Sequence, residues 1–74
     1  MTEKQLQFMI DVGQNLEFDY KGKKYTLRYD KDSEGNKVFY FGETFFEKKF
    51  ESYGDLMNNA MVENSFFRNV VENL

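Results

Sequence analysis

The sequence predicts an α+β domain with an N-terminal helix, a three- to four-stranded antiparallel meander, and two C-terminal helices packed on one sheet face. Three observations predict it. A capping sequence opens residues 2–13 at a helical apolar period, the period shortens to two from Leu16, and helical spacing returns after Asp55. Each period places apolar side chains on one side of its element, as burial against a shared core requires.

Thr2-Glu3-Lys4-Gln5 has the form of a capping box, in which the Thr hydroxyl and the Gln amide each satisfy a backbone amide of the first turn. Leu6, Met9, Ile10 and Gly13 follow with i, i+3, i+4, i+7 spacing. Phe8 and Val12 are expected to widen that apolar stripe, and Gly13 or Asn15 to end the helix in the left-handed conformation. Leu16, Phe18 and Tyr20 then alternate with Glu17, Asp19 and Lys21, and Tyr25, Leu27 and Tyr29 alternate with Lys24, Thr26 and Arg28. Joined through Lys21-Gly22-Lys23, these runs predict an antiparallel hairpin.

Asp30 to Asn36 is a polar turn, and a third strand is expected over Lys37–Phe41. Gly42-Glu43-Thr44 reads as the next turn. Residues 45–52 fit two periods: Phe46, Phe50 and Tyr53 suit a helix, while Phe46, Lys48 and Phe50 share one face of a strand. The turn just before them favours a fourth strand. A short helix is expected over Asp55–Met61, and Asn64-Ser65 supplies an N-cap for a closing helix with Phe66, Phe67, Val70, Val71 and Leu74 on one side.

Seventy-four residues suffice for one core, so residues 1–74 are read as one domain. Small cores usually need a staple. This chain has neither Cys nor His, which removes disulfides and the common zinc ligands, and its 19% aromatic content is the substitute. Without an apolar leader in MTEKQLQFMI, and without any run approaching a membrane span, a cytoplasmic location is expected.

Little points to chemistry. Ser33, Ser52 and Ser65 sit in turns or caps with no partner base, and no Gly-rich phosphate loop is present, so neither an enzyme nor a cofactor is expected. Asp30, Asp32, Glu34 and Gly35 match the first half of a calcium loop, but its twelfth position falls on Phe41, which leaves an acidic turn.

Three surfaces remain as candidates. Phe39 and Phe41 alternate with Val38 and Tyr40, so the third strand is apolar on both faces: either a second layer covers it or an exposed patch marks a partner site. Glu43, Glu47 and Glu51 recur every fourth residue as an acidic strip, or as one side of a charge-mixed face with Lys48 and Lys49. Lys21, Lys23, Lys24 and Arg28 form a basic hairpin whose Tyr20, Tyr25 and Tyr29 could stack bases. Alternation instead puts those tyrosines on the core side with Leu16, Phe18 and Leu27.

The F-x-Y-x-G-K-x-Y hairpin at Phe18–Tyr25 and the D-L-x-x-N-A segment at Asp55–Ala60 resemble small uncharacterised proteins of low-GC Gram-positive bacteria, their phages and mobile elements. That resemblance implies an antiparallel sheet with C-terminal helices and carries over no functional residue. The expected role is a non-enzymatic protein-interaction or regulatory module that binds a protein partner or itself. The alternative is a phage-type inhibitor that occupies a host nucleic-acid-binding defence enzyme through its acidic strips. Nucleic acid, membrane and small-molecule substrates are not indicated as partners.

Overall fold

The first helix, α1 (Glu3–Asp11), begins where its capping box dictates: Thr2 Oγ1 accepts from the Gln5 amide at 3.1 Å and Gln5 Oε1 accepts from the Thr2 amide at 2.8 Å. The computed structural model describes all 74 residues. Leu6 and Ile10 point into the core. Phe8 and Val12 do not widen the buried stripe as expected, for they are 66% and 51% exposed. At 100° per residue Phe8 lies about 160° from both Leu6 and Ile10, so a helix seated on those two must turn Phe8 outward.

The helix ends in a Schellman arrangement. The Gly13 amide donates to the Ile10 carbonyl at 3.1 Å and the Gln14 amide to the Met9 carbonyl at 2.9 Å, with Gly13 at φ +82°. A Cβ at Gly13 would lie 2.9 Å from Tyr29 Oη, which adds a crowding reason to the conformational one.

Strands β1 (Leu16–Tyr20) and β2 (Lys23–Lys31) form the expected hairpin, registered Leu16 to Leu27 and Phe18 to Tyr25. Lys21 and Gly22 both take positive φ, 51° and 81°, which is the type I′ turn whose twist matches that of the strands. Asp32 organises the next turn by accepting from the Glu34 and Asn36 amides, each at 2.9 Å. Strand β3 (Lys37–Glu43) then pairs with β2, Tyr29 opposite Phe39 and Leu27 opposite Phe41.

Beyond Phe41 the boundaries depart from the expected ones. Strand β3 continues through Gly42 and Glu43, and Thr44 extends its bonding by donating its amide to the Lys24 carbonyl at 2.9 Å. The turn is therefore Glu43–Phe46, closed by the Phe46 amide on the Glu43 carbonyl at 2.7 Å. The fourth element is a strand, as preferred, but β4 (Lys48–Phe50) spans three residues and leaves Phe45 and Phe46 in the turn. Sheet order is β1-β2-β3-β4, an antiparallel meander.

Helix α2 (Tyr53–Asn59) starts two residues early because the Ser52 hydroxyl caps it by accepting from the Asp55 amide at 3.0 Å. Met61 is not helical. It opens a small hairpin, β5 (Met61–Val62) with β6 (Ser65–Phe66), that places Ser65 in a strand instead of at a cap. Helix α3 (Phe67–Val71) is consequently shorter than the expected closing helix and has no side-chain cap. The Phe67 amide donates to the Ala60 carbonyl at 2.9 Å and so clips the hairpin shut.

One cluster of 15 buried residues joins Leu6 and Ile10 of α1, the inward positions of all four strands, and Leu56, Val62, Phe67 and Val71 of the C-terminal segment. All three helices contribute to that one core, as a two-layer arrangement requires. Tyr25, Phe41 and Phe67 of this cluster pack with one another and with the partly buried Phe18, the Phe41 and Phe67 centroids 4.3 Å apart. Aromatic pairs of this kind contribute about 0.5–1.5 kcal/mol beyond burial.

Gly13→Ala tests the α1 terminus directly. The substitution should lower unfolding stability by about 1–2 kcal/mol, since an L residue resists the left-handed conformation. Urea denaturation monitored by circular dichroism measures it, and an unchanged midpoint would contradict the capping role.

Candidate interaction surface

Phe39 and Phe41 cannot form an interaction surface. Each is only 2% exposed, because the helices cover their side of β3. On the other side Val38 is 3% exposed and Tyr40 is half-buried, with the Arg28 guanidinium 5.2 Å from its ring centroid. A long cationic side chain thus lies over Tyr40 on that face.

The acidic strip does not assemble either. With β4 reduced to three residues, Glu43 ends β3, Glu47 lies in the turn region and Glu51 follows β4. Glu47 Oε1 is 3.8 Å from Arg28 Nε, and Glu51 Oε1 is 3.8 Å from Lys49 Nζ, so two of the three carboxylates face cations. The basic hairpin is similarly divided: Lys21 Nζ and Lys23 Nζ approach the Glu63 carboxylate at 3.8 and 3.9 Å, and Arg28 is held by Glu47. Tyr25 is buried, and Tyr20 and Tyr29 pack partly against the core, as alternation predicts. Exposed pairs of this kind add about 0–1 kcal/mol each. They neutralise charge locally more than they hold the fold.

The turn after Glu43 has different properties. Phe45 is 90% exposed and Phe46 76% exposed, adjacent rings that the core does not use. Phe45 takes φ +74° at the third position of a turn whose second residue, Thr44, keeps negative φ, which makes the turn type II. Glycine is the residue that position favours, so a bulky ring there stores about 1–2 kcal/mol of strain. Gly42 permits the turn to fold back, for a Cβ there would lie 3.1 Å from both Glu47 Cα and the Phe46 carbonyl oxygen.

Behind the turn runs a groove of about 460 Å³, within the range of ligand sites. Tyr25, Phe41 and Phe50 line it with Phe46 and Met61, and Glu43, Lys48 and Asn59 supply its polar groups. Met61 pairs across the small hairpin with Phe66, and both are more than two-fifths exposed. Phe46, Met61 and Phe66 thus belong to neighbouring apolar positions on two hairpins. Burial raises the Tyr25 pKa, with the Glu63 charge adding in the same direction.

Sequence periodicity missed Phe45 and Phe46 because a strand over 45–52 would turn alternate side chains inward. Two consecutive phenylalanines were the available signal, since no strand can bury both on one face. Met61 and Phe66 escape the sequence reading because they stand at the end of one expected helix and the start of the next, where the β5–β6 hairpin forms instead. The carboxylates and other potential ligands form no group of three able to hold a metal ion, and no helix is long and apolar enough to cross a membrane. Comparison with known proteins gives no match: no family model, curated protein or solved structure aligns with the chain.

In the former calcium-loop segment, Asp32 has a structural use. The bond from the Asn36 amide, followed by that from Glu34, holds its carboxyl below the ordinary aspartate range despite opposing desolvation. Because the folded value is the lower one, the stabilisation is complete above the ordinary range and disappears as pH falls through the lowered value. A carboxyl-detected NMR titration should place the Asp32 midpoint below that of an unstructured peptide aspartate. A midpoint equal to or above the peptide value would contradict it.

Proposed function

We propose that this domain is a non-enzymatic protein-interaction module. It takes an apolar or aromatic side chain of an extended partner segment into the groove between the Phe46 turn and Met61. The observation that carries the reading is the Phe45–Phe46 turn: both rings are exposed, and the first is held in a strained backbone conformation. Exposure and strain both oppose stability, and neither ring belongs to the core cluster. Rigidly presented aromatic side chains are the residues that dominate protein interfaces when a partner buries them.

The groove fits a partner segment with an apolar anchor. Its aromatic lining suits an apolar anchor, while Glu43 and Lys48 offer opposite charges for flanking polar groups. The acidic-strip reading has less support because Glu47 and Glu51 are already paired within the chain.

A random peptide library displayed against the full chain should enrich segments with an aromatic or branched aliphatic anchor. Phe46→Ser should weaken an enriched peptide by about tenfold or more, as loss of an interface aromatic does. Phe45→Gly should weaken it as well, yet raise unfolding stability by about 0.5–1 kcal/mol by relieving the positive-φ strain. Enrichment of nothing, equal binding by Phe46→Ser, or destabilisation by Phe45→Gly would each count against the reading.

A further inference from the structure

We propose that α1 carries a second, self-complementary surface and joins two copies of this chain as an antiparallel pair. Phe8 is the centre of that surface. It is 66% exposed on the side of α1 opposite Leu6 and Ile10, and Val12, one turn further on, is 51% exposed. Leu6 and Ile10 make the helix's contact with the core, so Phe8 and Val12 form an apolar face that the chain covers only in part.

Charge on the same face selects the occupant. Lys4 and Asp11 are seven residues apart and so occupy the same flanking position beside a seam formed by Phe8 and Val12. A two-fold axis near the middle of α1 reverses the direction of the second helix, which brings Lys4 of each copy to Asp11 of the other. At 1.5 Å rise per residue both charges sit about 5 Å from that axis on opposite sides. Two symmetric ion pairs therefore flank two apposed Phe8 rings. In a parallel pair that flank of one copy lies across the seam from the same flank of the other, so Lys4 and Asp11 would find no partner there.

Within the chain, Asp11 Oδ1 faces Lys37 Nζ at 3.4 Å, but the Asp11 side chain remains 70% exposed and its second oxygen is open to a further cation. Lys4 makes no ion pair with any residue of its own chain. The seam is only a nine-residue helix, about 13.5 Å long, so the contact belongs to the small, reversible class of interfaces.

Charge exchange tests this, with the fold checked separately because Asp11→Lys also breaks the exposed Asp11–Lys37 pair. Lys4→Glu adds a carboxylate to the first turn and Asp11→Lys adds a cation to the last, and both suit the helix dipole. Sedimentation equilibrium of the full chain should show a concentration-dependent monomer–dimer equilibrium. Each single variant should dimerise about tenfold more weakly, because both symmetric pairs become repulsive, while circular dichroism shows the fold retained. Mixed in equal amounts, Lys4→Glu and Asp11→Lys should pair with each other, since every cross-contact is then attractive. A wild-type chain that is monomeric up to about 1 mM, the weakest affinity of interest, would overturn the proposal. Single variants that self-associate unchanged, or that fail to pair when mixed, would overturn it equally.

Discussion

The stack of Phe18, Tyr25, Phe41 and Phe67 is the contact on which the rest of the molecule depends. It connects three strands to the C-terminal segment, with Phe41 and Phe67 centroids 4.3 Å apart and Phe67 fully buried. Phe67 lies in a helix of five residues without a side-chain cap, too short to hold its shape alone. The helix forms there because the ring must reach the sheet. The Phe67 amide bond to Ala60 then fixes β5 and β6 in turn, so side-chain packing and backbone bonding reinforce one another.

That dependence constrains the surface. A 74-residue chain without Cys or His has no disulfide and no zinc site to supplement its core, and domains of this size hold roughly 4–11 kcal/mol in total. The strain stored at Phe45 is a sizeable part of such a margin. Its persistence beside an aromatic groove, together with apolar Phe8 on the far side of α1 from the core, separates residues that hold the fold from residues the fold leaves available. Elsewhere six ion pairs join oppositely charged side chains, and on the open sheet face Arg28 lies over Tyr40.

Much of the architecture was legible where local chemistry acts alone. The Thr2–Gln5 capping box, the Lys21-Gly22 turn and the alternation of β1 and β2 depend on near neighbours, and each formed as its residues imply. The failures share a cause. Met61 was expected to end one helix and Phe66 to begin the next, yet with Phe67 packed against Phe41 the two pair across a hairpin. Phe8 was misplaced because apolarity alone does not say which side of a broad stripe will find a neighbour. Phe39 and Phe41 were offered as surface for the same reason: burial is decided by what packs above a strand, and a strand's own sequence does not contain that. The doublet Phe45–Phe46 signalled that one ring must face outward, but not the turn that exposes both, because Phe45 takes a conformation its type resists.

Phe41 and Phe67 stabilise the domain together and not merely by separate burial. A double-mutant cycle with Phe41→Leu, Phe67→Leu and the combined variant, read by urea denaturation, isolates their interaction. The account predicts a favourable coupling of about 0.5–1.5 kcal/mol between the two rings. Strict additivity, with the double variant losing the sum of the single losses, would contradict it.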